Sequence, residues 1–374
     1  MALAHRERIS TATALQPHSH RRACSLFRRL FLLAFALPGC HSFAQNVLVL
    51  VGSGSTAPAA LYSRWAEEYN KRNRLLQVRY LPSSTGEGIT LIALGVSDFG
   101  AGEARLTDKE RNDSGLLELP VAVATIVPIY NLPDVHQNLR LSGEVLAEIY
   151  LGEVKSWNAP QIAKLNPEIV LPNLPIQVVN RPAGRGSNYI FTEFLAKVNL
   201  RFRMQVRVSA SPKWPIGAPA QRSSDMVDKV KNTVGSIGFV EYHYAVRAAI
   251  QQAAVLNSAG QFVSPSVQTI GAACNAVEAL QQHGFSASLT NAPGKASYPV
   301  TGFTWLYVRT KSTDAARTIA LNEFLNWIYA DGQQFSTQED YPVLPSSLLS
   351  NLRKTVKASM TGNSQPAENR PAGH

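Results

Sequence analysis

Cysteine is scarce in this chain, and its three copies are poorly placed for bonding. Cys24 and Cys40 fall in the first 44 residues, which leaves Cys274 alone in the body. No internal disulfide is available, so the core must hold the fold unaided. Histidine offers no metal site either: His136, His243, His283 and His374 are scattered, without the short spacing that zinc ligands favour. No Lys follows a glycine turn in the P-loop pattern, and no G-x-G-x-x-G opens a helix, so the common nucleotide cradles are excluded. A nucleophile elbow and a Ser/His/Asp arrangement are also missing. No apolar run reaches the ~20 residues of an ordinary transmembrane helix. What remains, 45% hydrophobic and 17% charged residues over 374 positions, is the balance of a globular protein large enough for two domains.

The net charge of +10 is unevenly spread. Residues 1–44 hold Arg6, Arg8, Arg21, Arg22, Arg28 and Arg29 against Glu7 alone, and taking them away leaves 30 basic and 25 acidic residues, a net of +5. The basicity therefore belongs largely to a leader, which argues against a nucleic-acid face. Arg28 and Arg29 precede the short apolar run Leu30 to Leu37, the layout of an export signal. Two processing sites are open: cleavage after Ala44, within "SFA", or lipidation of Cys40, within "LPGC". The expected location is periplasmic, as a freely secreted or lipid-anchored protein. The tail 361–374, rich in polar residues with Pro and Gly, is expected to be disordered.

Between leader and tail, strands and helices alternate. Val47 to Val51 is an apolar strand closed by Gly52; Leu61, Trp65 and Tyr69 then recur at every fourth position, predicting a helix that starts near Pro58. Leu75 to Leu81 and Ser97 to Ala104 predict two more strands, with a short helix between them. Leu119 to Asn131 is a long buried strand, and Ser142 is a good cap for the helix that follows. Leu174 to Val198 repeats the strand, glycine turn and helix of the opening, with Ile190, Phe191, Phe194, Leu195 and Val198 on one face. Gly235 to Ala245 and Tyr298 to Thr310 read as strands, and Ala316 to Gly332 as a late helix. This order implies an α/β fold of mainly parallel sheet flanked by helices.

Three loops share one chemistry: "GSGST" (Gly52 to Thr56), "SSTGEG" (Ser83 to Gly88) and "GRGSN" (Gly184 to Asn188). A helix N-terminus presents unpaired N–H groups and the positive end of the macrodipole, so it draws anions. Glycine admits the backbone closely, Ser and Thr add neutral donors, and Arg181 can grip a tetrahedral oxyanion with two parallel bonds. Each loop alone is better explained as local punctuation; their conjunction with an Arg leaves punctuation and an oxyanion cradle both open.

The stretches "GSGSTAPAALYSRWAEEY", "SDFGAGEARLT", "LAEIYLGEVKSWN", "RPAGRGSNYIFTEFLAKV", "KWPIG" and "GSIGFVEYHYA" resemble, in order from Val47 to Pro345, the phosphate-binding proteins of bacterial ABC importers. The resemblance implies a two-lobed periplasmic-binding-protein fold (type II), with the ligand in a cleft between lobes. One lobe would comprise 46–121 plus 300–360, the other 122–299. It implies Thr56 and the N–H of Ala57 as donors from the first loop, with Ser53 and Ser55 left as turn formers. From the second loop it takes Thr85, or its neighbour Ser84 if the loop shifts, and from the third Arg181, Gly186 and Ser187. Glu103 stands where the family has an Asp, a carboxylate that accepts a hydrogen bond from phosphate and repels sulfate. The alternative for Glu103 is a surface acid at a strand end. Ala183 and Arg185 replace an Asp and a Ser, so Arg181 loses a brace. Arg185 is left to turn outward, pair with Glu103 or touch the ligand.

The implied function is capture of inorganic phosphate and delivery to an inner-membrane ABC permease by a monomer without cofactor or catalysis. The competing readings are a paralogue with an altered pocket, acting as a sensor or binding another phosphorus oxyanion, and a phosphatase using Ser55 or Thr56.

Overall fold

A computed structural model of the chain describes residues 47–278, 288–312 and 314–360. The leader 1–44 with both processing sites, His283 and the tail 361–374 lie outside the described residues. The opening apolar run forms β1 (Leu48–Gly54), and the fourfold aromatic spacing forms α1 (Ala59–Arg72), which buries Leu61, Trp65 and Tyr69. β2 (Leu76–Pro82), α2 (Thr85–Ala93) and β3 (Phe99–Gly102) follow, and β1 pairs in parallel with both β2 and β3. The short helix α3 (Asp108–Ser114) then leads into β4 (Leu116–Tyr130).

The middle of the chain begins with β5 (Arg140–Leu141), α4 (Gly143–Leu151) and α5 (Pro160–Ala163). Ser142 caps α4 by accepting from Val145 N–H at 3.2 Å, as its position in the sequence predicts. β6 (Gln177–Asn180), α6 (Gly186–Val198) and α7 (Leu200–Gln205) come next, then β7 (Ala218–Pro219) and α8 (Ser223–Lys231). The run predicted as one strand from Gly235 divides into β8 (Ser236–Glu241) and α9 (Tyr242–Arg247). Three short strands follow, β9 (Gln251–Gln252), β10 (Ala254–Leu256) and β11 (Phe262–Val263), and then α10 (Val267–Glu278). The chain returns through β12 (Thr301–Arg309) and closes with α11 (Ala315–Ala330) and α12 (Ser346–Met360).

Two long strands carry the architecture. The main sheet runs in the order β2-β1-β3-β12-β4-β8-β6-β7, with β9 attached to β4. Residues Leu116 to Thr125 of β4 pair antiparallel with β12, while Ile126 to Tyr130 pair antiparallel with β8. One strand thus serves both halves, and the sheet is mixed: the parallel pairs lie among its outer strands. Nearly every residue of β4 is buried, so it reads as a continuous apolar run and not as an alternating one.

The buried side chains form two clusters. Leu50, Trp65, Phe99 and Phe324 belong to one; Trp157, Phe191 and Phe239 belong to the other. Along β4 the clusters change between Val123 and Ala124. On the return, Val300 belongs to the second cluster and Phe303 to the first. α10, through Ile270, Ala273 and Cys274, joins the first cluster although it lies within the middle segment of the chain. Two cores joined by two strands is the physical form of a two-lobed fold.

Phe191 seats α6 in the second core. Its ring stacks on Phe239 at 4.3 Å between centroids and meets Tyr150 edge-on at 5.0 Å. Phe191→Ala should therefore cost about 3–5 kcal/mol of unfolding free energy in urea denaturation. A loss below about 1 kcal/mol would contradict this packing account.

Candidate functional site

The three glycine loops converge. β1 ends at Gly54, which has φ +144°, and a Cβ there would lie 2.0 Å from the carbonyl oxygen of Ala101, so only glycine fits. Ser55 N–H bonds the same carbonyl at 2.9 Å, and Tyr80 Oη donates to the Ser55 carbonyl at 2.7 Å, fixing the loop on both sides. α1 then opens without a side-chain cap, because Pro58 occupies the cap position. Ser55 is more than a turn former: its Oγ accepts from Ala57 N–H at 3.2 Å and faces the same cavity as Thr56 and Ala57.

In the second loop the choice between neighbours resolves by geometry. Ser84 caps α2, its Oγ accepting from Glu87 N–H at 3.1 Å. Thr85 is buried and donates through Oγ1 to Glu103 Oε2 at 3.0 Å. The third loop is anchored where Gly184 N–H and Arg185 N–H both bond the Ala210 carbonyl, at 2.9 and 3.1 Å. Trp214, of the "KWPIG" motif, donates to the Arg181 carbonyl at 3.1 Å and so fixes the backbone that carries the guanidinium. α6 begins at Gly186 with no side-chain cap from Arg185, so its first N–H groups are left for another acceptor.

Ser55, Thr56, Ala57, Ser84, Thr85, Arg181, Arg185, Gly186, Ser187 and Glu241 enclose about 170 Å³ free of protein atoms. Every residue expected to bind from these loops lines that cavity, and Glu103 adjoins it through its contacts with Thr85 and Gly186. A Cβ at Gly186 would lie 1.4 Å from Glu103 Oε2, so glycine provides the room that the longer acid needs. With 2% of its surface exposed, Glu103 is not the surface acid of the alternative reading.

Glu241, at the end of β8, is a site residue that the sequence reading missed, because the strand was carried past it into α9. An acid ending an apolar strand just before a helix was the signal available in "GFVEY".

The electrostatics are those of a small, dry, mixed-charge chamber. Burial pushes the Glu103 carboxyl up to about 7; the hydroxyls of Ser55 and Thr85 pull it down, and Glu241 pushes it further up. Burial also lowers the Arg181 guanidinium, which Glu241 opposes and Arg185 reinforces. Among the described residues the Arg181 guanidinium makes long bonds alone, to the Ala220 carbonyl and Ser223 Oγ, each at 3.4 Å. With Ala183 beside it, the loop supplies no carboxylate brace of its own. Arg185 neither turns outward nor pairs with Glu103: its Nη1 donates to the Ser83 carbonyl at 3.0 Å.

Several buried polar atoms around the cavity have no hydrogen-bond partner among the described residues: Arg181 Nε, Arg185 Nε, Ser187 Oγ, Glu103 Oε1 and Glu241 Oε2. Unpaired buried groups are rare and cost about 1–3 kcal/mol each. Their concentration here, donors and acceptors together, fits a small ligand that offers both oxygens and a proton.

The family described as a PBP superfamily domain matches residues 40–332. The phosphate-binding protein PstS of Haemophilus influenzae is 32% identical over 323 residues, covering 86% of this chain and 96% of the relative. PstS of Pasteurella multocida is 33% identical over 331 residues, covering 88% and 96%. Among solved structures, a high-affinity periplasmic phosphate-binding protein (PfluDING) bound with phosphate aligns with a TM-score of 0.65 at 19% identity, covering 82% of this chain and 93% of that one. An ABC-type phosphate transport receptor from Vibrio cholerae aligns at 0.55 and 17%, covering 79% and 100%. The two-lobed α/β fold, the converging loops and these relatives together place the chain in the PBP superfamily, as a member of the PstS phosphate-binding protein family.

Proposed function

We propose that the chain is an exported solute-binding protein that closes on inorganic phosphate and delivers it to an inner-membrane ABC permease. The observation that carries this reading is the set of unpaired donors and acceptors around one confined cavity at two uncapped helix starts. Thr56, the first-turn N–H groups of α6, Ser187 and Arg181 supply donors to the anion's oxygens. Ala57 N–H joins them when the Ser55 hydroxyl gives it up, and Thr85 acts mainly by holding Glu103. The relatives named PstS support phosphate as the ligand. The role proposed is binding and not catalysis: the relatives are named as binding proteins, and the contact of the Thr85 hydroxyl with Glu103 serves to hold the acid in place. A monomer, free in the periplasm after cleavage at Ala44 or anchored through a lipidated Cys40, completes the reading. No described helix is long and apolar enough to cross a membrane.

Arg181 is the single charged donor buried deepest in the site. Truncating one partner of a buried, charge-assisted contact costs 2–5 kcal/mol in order of magnitude, so Arg181→Ala should weaken phosphate binding by about thirtyfold or more in calorimetry. Thr56→Val should cost about tenfold, the value of one neutral donor in a dry site. Wild-type affinity in both variants would overturn the site assignment.

The buried Glu103 also fixes a pH dependence. Its carboxyl, raised to about 7, is mostly neutral in acid and charged in base. Charged, it accepts a hydrogen bond from the phosphate O–H and repels sulfate; neutral, it donates to either anion. Sulfate should therefore compete with phosphate more strongly at about pH 5.5 than at about pH 8.5. Glu103→Gln should make the competition strong and independent of pH. Sulfate exclusion that is equally strong at both pH values in the wild-type chain would contradict the assigned role of Glu103.

A further inference from the structure

Arg185 joins loops that belong to different cores. Its backbone is anchored on the second side, where Gly184 N–H and Arg185 N–H bond the Ala210 carbonyl. Its guanidinium crosses the cavity to the Ser83 carbonyl at 3.0 Å. Ser83 is in turn tied to the first loop, its N–H bonding the Gly54 carbonyl at 2.6 Å. One side chain thus links all three anion loops through firmly held backbone groups, while its own Nε stays buried and unpaired beside the cavity.

Resting on the phosphate-binding reading above, we propose that Arg185 is a positioning residue, a ligand-dependent latch that holds the cleft shut and sets the rate at which the bound anion escapes. The dependence on ligand follows from charge. Arg181 and Arg185 stand four residues apart on one loop and both line the cavity, so closing the other loops over them takes two neighbouring cations out of water. Glu241 in the lining and Glu103 beside it offset the pair only in part, so burying the two cations opposes closure until an anion sits between them. The anion offsets that cost, and the Arg185–Ser83 bond then secures the closed state. The bond is made to a backbone carbonyl, so the latch reads closure and not the identity of a side chain across the cleft.

The test combines a labelled-phosphate chase with X-ray scattering on the mature chain. Arg185→Ala should speed phosphate release by about tenfold, the value of a charged hydrogen bond, while association stays within about threefold of wild type. Arg185→Lys, which can still reach the carbonyl with a charged donor, should recover most of the slow release. At saturating phosphate, Arg185→Ala should show a larger radius of gyration than wild type, because its cleft no longer stays shut. A direct ligand contact without a latching role predicts the same closed radius once the site is full, and that result would overturn the latch. Unchanged release in Arg185→Ala would overturn it as well. In either case wild-type binding of phosphate would stand, whereas a wild-type chain that binds no phosphate would overturn the functional reading and the latch together.

Discussion

Glu103 meets the first turn of α6 so closely that Gly186 has no space for a side chain, and this contact governs the rest of the site. The acid comes from the end of β3 and the helix from the second core, so their meeting defines a closed cleft. An ionised carboxylate in so dry a place is costly unless hydrogen-bonded, and Thr85 and Ser55 supply that help only in part. The carboxyl, raised to about 7, exists in both its charged and its neutral form near neutral pH, able to accept or to donate. Discrimination between anions then follows from one proton: a ligand that brings its own is received by the charged acid, and a ligand without one is refused.

That contact depends on how the two cores are joined. β4 pairs with β12 over its first part and with β8 over its last, so the crossing strand is held by a ladder on either side of the change between clusters. Each core packs its own aromatic set, and the loops at the strand ends are carried as rigid extensions of them. The glycine loops can therefore approach one another as units, and small side-chain bonds such as Arg185 to Ser83 can bias the approach.

Much of this was legible in the sequence because its signals are local. The glycines that end β1, the aromatic spacing of α1 and the cap at Ser142 each act over a few residues, and the structure places them as expected. The roles of Ser84 and Thr85 were also within reach, since Ser84 to Glu87 has the S-x-x-E spacing of a helix cap, which spends the Ser84 oxygen. α12 carries Leu348, Leu352 and Val356 at every fourth position, a helical stripe that the reading passed over. Other features were out of reach for a physical reason. The destination of Arg185 depends on a carbonyl 102 residues away. The unpaired Nε of Arg181 and Oε2 of Glu241 acquire meaning only when separate segments of chain share one cavity. Ser55 reads as a turn residue until the burial of Glu103 gives its hydroxyl an acid to support.

The central claim is that one small cavity, walled by Glu103, Arg181 and the first turn of α6, is where the anion sits. The most direct measurement is a crystal structure of the mature chain grown with phosphate. This account predicts one tetrahedral anion whose oxygens lie about 2.7–3.2 Å from Arg181 Nε, Ser187 Oγ and Glu103 Oε1. Phosphate bound elsewhere on the chain, with those atoms still unpaired, would contradict it.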